Sequence, residues 1–209
     1  MPTSIKLLAV SGSPVKESST DLLLAHIKDA ITGHLPRDWQ VDGTFVRLNE
    51  LKFVPCQSCG KAPTPEFCFY EDDLTGLYDT VADCDCLLFG TPLYFDTVSS
   101  QAKAFIDRCN CLRPADFSGN SARHSFIRLI KKRRPGAMVL VGGEKGWFEG
   151  ARRVVAGFFK WIEVSNEGTF IFHSDDYKVK GGVRENAAAL AEAAALGRKL
   201  ADILREQHG

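Results

Sequence analysis

AVSGSPVKESSTDLLL, residues 9–24, carries the end of one hydropathy pattern and the start of another. Ile5 to Val10 is a continuous apolar run, the signature of a strand covered on both faces. From Ser11 the chain turns polar: Gly12 and Pro14 shape a turn, and Ser11, Ser13, Ser18, Ser19 and Thr20 supply hydroxyls. An apolar helix follows. The order strand, hydroxyl-rich loop, helix predicts a βα unit whose helix N-terminus faces the loop. Unpaired N–H groups and the positive end of the helix dipole stabilise an anion there. The loop lacks the Gly-Lys-Ser/Thr ending of a nucleotide triphosphate loop and the G-x-G-x-x-G dinucleotide fingerprint. Hydroxyls without a dedicated lysine suit a terminal phosphate held mainly by neutral donors. They equally suit a solvated loop in which a Ser or Thr only caps the helix.

Working outward, apolar strand patterns alternate with helical ones. Strands are predicted at 4–10, 40–48, 85–90, 136–142 and 168–173, and helices at about 19–33, 73–82, 98–111, 149–163 and 183–206. In the last helix Leu190, Ala193, Gly197, Leu200 and Leu204 form one stripe, with Gly197 at a point of close packing. Five βα units predict an α/β fold: an open, doubly wound, five-stranded parallel sheet, spanning residues 1–209 as one domain. Right-handed crossovers place its ligand crevice at the carboxyl ends of the strands. Two long connections, 49–72 and 112–135, stand out as functional segments.

Lys and Arg total 26 and Asp and Glu total 26, for zero net charge. That balance argues against a dedicated nucleic-acid binder and against an acidic electron shuttle steered by a strong field. No apolar run approaches the roughly 20 residues of a membrane span, and residues 1–10 read as a strand rather than a leader. Seven cysteines on such a chain predict a reducing, cytoplasmic setting.

Two further stretches sharpen the ligand. In DCLLFGTPLYFDTVSSQAKAFIDR, residues 85–108, a strand ends at Gly90 and Thr91, Pro92, Leu93, Tyr94 and Phe95 follow at its carboxyl end. Such a turn offers a flat apolar surface and ring-edge amides to a planar heterocycle. In VLVGGEKGW, residues 139–147, Gly142, Gly143 and Gly146 allow close approach of backbone to a ligand, with Trp147 beside it.

At these residues the chain resembles the flavodoxin-like NAD(P)H-dependent FMN reductases, including their iron–sulfur flavoprotein branch. Gly12 to Thr20 matches a Gly-Ser-Pro-Arg-Lys-x-Ser-Asn-Thr-like loop, with Val15 in place of the Arg and Ser19 in place of the Asn. Thr91 to Phe95, Lys103 and Phe105 to Arg108 match a second motif. The resemblance implies a flavodoxin-like fold, its five parallel strands in the order 2-1-3-4-5 within three layers, and FMN as cofactor. Ser11, Ser13, Pro14, Ser18, Ser19 and Thr20 would surround the phosphate, and Thr91, Pro92, Leu93, Tyr94, Phe95, Gly142 and Gly143 would frame the ring. It implies NAD(P)H as co-substrate in a ping-pong cycle and a quinone, nitro- or azo-aromatic, flavin or protein as acceptor. It also implies a homodimer or homotetramer. No catalytic side chain is assigned; Tyr94 is a ring-edge contact. The alternatives are an iron–sulfur-flavoprotein-type electron carrier fed by a ferredoxin-like donor, and a binding module without turnover.

CQSCGKAPTPEFCFYEDDL, residues 56–74, aligns with the cysteine run of the iron–sulfur branch, but the fourth cysteine falls at Ala62. A four-iron cluster takes four thiolates, so Cys56, Cys59 and Cys68 read as remnant thiols, with a Cys56–Cys59 dithiol or a subunit-shared metal as alternatives. Cys86, Cys109 and Cys111 read as structural. RLIKKRRPG, residues 128–136, is either a solvated loop or, with Arg123 and His124, a landing strip for an anionic nicotinamide phosphate or a partner subunit. His26 reads as a surface residue, and His173 follows the last strand near the crevice. Asp72–Asp73 reads as the N-cap of the second helix, and Asp175–Asp176 as a loop.

Overall fold

A computed structural model describes residues 3–59, 68–116, 125–143, 146–174 and 179–209. Ala62, Arg123, His124, Asp175 and Asp176 lie outside them. Five strands, β1 (Ser4–Ser11), β2 (Gln40–Arg47), β3 (Cys86–Tyr94), β4 (Arg134–Gly142) and β5 (Val164–His173), pair in parallel in the order 2-1-3-4-5. Helices α1 (Ser19–His34), α2 (Leu77–Asp83), α3 (Ser100–Arg108), α4 (Glu149–Trp161) and α5 (Ala187–His208) connect or follow them.

Side chains alternate across the strands, so each central strand feeds two cores. Leu7, Ala9, Leu88 and Val139 face Leu24, Ile27, Leu200 and Leu204 of α1 and α5. Leu8, Val10, Phe89 and Leu140 face Tyr78, Phe105, Val155 and Phe158 of α2, α3 and α4. Three layers result, and the continuous apolar runs of β1, β3 and β4 follow from burial on both faces.

Several boundaries differ from the sequence reading, each for a local reason. β3 runs on through Pro92, because Thr91 and Pro92 still register against Leu140 and Val141 of β4. Leu93 and Tyr94 then pair antiparallel with Val98 and Thr97, and the chain reverses at Phe95–Asp96, both with positive φ. The second helix starts at Leu77, not at 73. Asp72 and Asp73 do not cap it: Asp73 accepts from the Lys52 N–H, while Asp72 accepts from Leu74 and Val54 N–H groups and pairs with Arg108. α3 closes in a tight 3-10 turn over Cys109–Leu112. α5 starts at Ala187, where the Asn186 carboxamide accepts from the Ala189 N–H at 2.9 Å, and a separate 3-10 turn covers Gly182–Glu185. Among the described residues no helix is long and apolar enough to cross a membrane.

Candidate functional site

The loop after β1 is held from below. The Gly12 N–H donates to the Gly90 carbonyl at 2.8 Å, and Ser99 Oγ donates to the Gly12 carbonyl at 2.6 Å while capping α3. Asp21, in the first turn of α1, organises the rest. One carboxylate oxygen accepts from Ser11 Oγ at 2.5 Å; the other accepts from the Glu17 N–H and from Arg47 Nε, both at 2.9 Å. Glu17 takes a positive φ of 60° to make that contact. Ser18 caps α1 by accepting from the Asp21 N–H at 3.3 Å.

This scaffold opens onto a crevice of about 280 Å³ at the carboxyl ends of β1, β3 and β4. Ser13, Ser18 and Thr20 line it on the loop side, Pro92, Leu93 and Tyr94 on a second, and Gly142 and Gly143 on a third. Thr20 Oγ1 is a buried hydroxyl with no hydrogen-bond partner among the described residues, on a side chain only 1% exposed. A hydroxyl desolvated without a partner costs roughly 1–3 kcal/mol, which a ligand oxygen in the crevice would recover. A Cβ added at Gly143 would meet no atom within 4 Å, so the backbone there leaves open space beside the crevice. The sugar-phosphate end of a flavin nucleotide therefore fits the residues present. Ligand clefts usually span roughly 300–1,000 Å³, so this crevice seats part of such a molecule and leaves the rest open to solvent.

Other residues singled out from the sequence lie around the crevice rather than on it. Ser11 sits beneath, committed to Asp21. Ser19 Oγ accepts from the Val183 N–H at 3.2 Å. Thr91 Oγ1 donates to the Pro92 carbonyl and accepts from the Ser99 N–H. Pro14 offers its carbonyl to the Asn49 side chain. Phe95 points fully into solvent, and Trp147, 76% exposed, is tied to the same turn by its N–H on Asp96 Oδ1 at 3.1 Å. His173 does reach the rim: its Nδ1 lies 3.3 Å from the Gly143 carbonyl and its ring meets Phe148 edge-on. Sequence reading missed Arg47, Ser174 and Lys180. The first holds the loop, and the other two line the crevice from distant parts of the chain.

The basic run 128–133 is not a landing strip for a nicotinamide bound here. It precedes β4, whose other end carries Gly142, and nine residues of strand rise roughly 30 Å. Within it, Arg128 pairs with Glu163 at 2.6 Å and Lys132 with Asp85, and buried Arg134, the first residue of β4, donates to the Val81 and Ala82 carbonyls at the end of α2.

A model of the family described as NADPH-dependent FMN reductase matches residues 5–175. The chain belongs to that family. It is 23% identical over 205 residues to an iron–sulfur flavoprotein of Methanosarcina thermophila, covering 96% of this chain and 95% of the relative. It is 26% identical over 207 residues to one of Methanocaldococcus jannaschii, covering 96% and 98%. Its fold is shared with an azoreductase from Bacillus anthracis (TM-score 0.63, 17% identity, 93% of this chain and 99% of that one). A flavone reductase superposes at TM-score 0.66 with 17% identity over 97% of this chain, which spans 64% of that protein's length. Family membership makes the chain an FMN oxidoreductase, with FMN as cofactor and NAD(P)H as the reductant of the family.

With three cysteines, the loop 56–74 does not by itself fit a four-thiolate cluster. Ala62 stands where a thiolate is needed. Cys56 and Cys59 are exposed, whereas Cys68 packs half-buried against the core with Cys111. Burial, and then the neighbouring Cys68, pushes the Cys111 thiol up to about 12. Among the described residues no three Cys, His, Asp or Glu side chains converge as metal ligands do.

Proposed function

We propose that the crevice holds FMN, with Ser13, Ser18 and Thr20 toward the phosphate and Pro92, Leu93, Tyr94, Gly142 and Gly143 toward the ring. Electrons pass from NAD(P)H to a small acceptor such as a quinone, a nitro- or azo-aromatic or free flavin, or to a protein. The observation that carries this reading is the buried, unpartnered Thr20 hydroxyl in the crevice wall. Ser11, Pro14, Ser19 and Thr91 support the wall through the bonds given above, and Phe95 stays outside it.

When bound, the flavin supplies hydride acceptance and two-electron donation; the protein supplies position and exclusion of water. The described residues lining the crevice include no His, Asp, Glu or Cys, so no acid–base pair is assigned. Exposed Phe95 and Trp147 at the mouth are the surface a second copy would cover in a homodimer or homotetramer. One FMN-binding domain across residues 1–209, working in the cytoplasm, completes the reading.

A second reading, electron transfer from a ferredoxin-like donor without direct NAD(P)H oxidation, draws on the iron–sulfur flavoprotein relatives. Anaerobic rapid mixing of FMN-loaded protein separates the two. Bleaching of the flavin band by NADPH or NADH within seconds is expected. Bleaching by reduced ferredoxin alone would favour the second reading, and failure of the apoprotein to take up FMN would reject both.

A further inference from the structure

Lys180 comes from the segment after β5, yet it lines the crevice together with Ser13, Val15, Ser18 and Thr20 of the first loop. Three contacts bring it there. The Val183 N–H donates to Ser19 Oγ at 3.2 Å. Gly181 adopts a φ of +68°, and a Cβ on it would lie 2.8 Å from the Glu17 carbonyl oxygen. Lys180 Nζ stands 3.4 Å from Glu17 Oε2, and Arg184 approaches the same oxygen at 4.0 Å.

The charges around the loop then sort into two sets. Beneath it, the buried Asp21 carboxylate is already paired with Arg47, which also holds Glu50. At its mouth, among the described residues, Lys180 and Arg184 both approach the one Glu17 carboxylate. The Lys180–Glu17 pair is half-exposed on both sides, and such pairs are weak, roughly 0–1 kcal/mol. Glu17 therefore holds Lys180 loosely.

We propose that Lys180 leaves Glu17 for the phosphate ester of the flavin, and that it is the residue by which this crevice selects FMN over unphosphorylated riboflavin. A phosphate monoester is close to a dianion at neutral pH, whereas the riboflavin hydroxyl in its place is neutral. The mobile ammonium thus distinguishes the two flavins by charge, and the neutral hydroxyls distinguish them far less. The inference rests on the reading that the phosphate sits at this loop.

The test is titration of the apoprotein with FMN and with riboflavin, followed by quenching of flavin fluorescence, for wild type, Lys180→Met, Lys180→Arg, Glu17→Gln and Thr20→Val. Lys180→Met should weaken FMN about 10-fold and leave riboflavin unchanged, and Lys180→Arg should keep most FMN affinity. Glu17→Gln, which removes the competing carboxylate, should tighten FMN several-fold. Equal effects of Lys180→Met on both flavins, or none on either, overturn the role of Lys180. If Thr20→Val still weakens FMN in that case, the crevice itself stands. If Thr20→Val also leaves FMN affinity intact, the location of the cofactor falls with it. Should Lys180→Met not fold, Glu17→Gln decides: unchanged or weaker FMN binding counts against the proposal.

Discussion

Arg47 at the end of β2 donates its Nε to the Asp21 carboxylate at 2.9 Å, and both side chains are about nine-tenths buried. Ser11 and Arg47 are register partners across β1 and β2, so sheet pairing delivers the guanidinium to the base of the loop after β1. Asp21 then ties Ser11, Glu17 and Arg47 into one unit. The loop's shape is thereby set before any ligand arrives, which lowers the ordering cost of binding.

Arg47→Ala should remove the only cation paired with this carboxylate among the described residues. Breaking a buried pair costs about 3 kcal/mol or more, which for a chain of this size lowers Tm by roughly 6–12 °C. FMN affinity should fall at least 10-fold, because the Ser13 carbonyl loses its Arg47 donor and Asp21, which holds the Glu17 N–H, loses its cation. Lys at 47 should rescue little, since it cannot reproduce the fork reaching Asp21 and Glu50. Thermal melts and FMN titration of both variants check this.

Thr20→Val separates stability from binding. It replaces an unpartnered buried hydroxyl by a methyl of similar size. The apoprotein should be as stable as wild type or slightly more so, while FMN binding weakens by about 10-fold, in line with the roughly 1.5–3 kcal/mol of a hydrogen bond to a charged group. Urea unfolding of the apo form beside calorimetric FMN titration gives both numbers. A destabilised apoprotein would mean that the hydroxyl serves the fold instead.

Arg108 is 2% exposed and bonds both the Val54 carbonyl and the Asp72 carboxylate. Burial pushes the Asp72 carboxyl up, but the Arg108 bond and the Leu74 and Val54 N–H groups outweigh it and hold it below its ordinary value. A depressed carboxylate stabilises the fold above its unfolded pKa, near 3.9, and the contribution disappears as pH falls through the folded value. Asp72→Asn should therefore cost about 3 kcal/mol at pH 7. The gap to wild type should narrow steadily below about pH 4. Urea midpoints measured from pH 7 downward check the sign, and a gap constant with pH would contradict it.

Gly197→Ala probes the packing of α5 on α1. A Cβ at 197 would fall 2.7 Å from both the Ile27 carbonyl oxygen and Ala30 Cβ. The helices must separate, at a cost of roughly 1–3 kcal/mol, while FMN affinity should stay within about two-fold. Equilibrium unfolding and flavin titration of this variant also supply a control for the site variants.

The strands and the hydroxyls of the crevice wall were readable because their signals are local. A strand buried on both faces is a continuous apolar run, and a helix mouth is a cluster of Ser and Thr, so Ser13, Ser18 and Thr20 stand out at once. The reach of β3 through Pro92 was not readable, since it depends on the Thr91 and Pro92 register with β4. Nor was the fate of Asp72. An Asp before a helix looks like a cap until Arg108, 36 residues away, is placed against it.

The linear chain by itself determined the three-layer α/β fold, the serine-rich loop after β1 and the family to which the protein belongs, because periodicity and short motifs involve neighbours in sequence. Only the tertiary structure decided which hydroxyls face the crevice and which are spent on the scaffold. It also brought Arg47 beneath the loop and Lys180 across it. Charge acts through space and not along the chain, so a cation 160 or more residues from the loop can complete it only once the fold is closed.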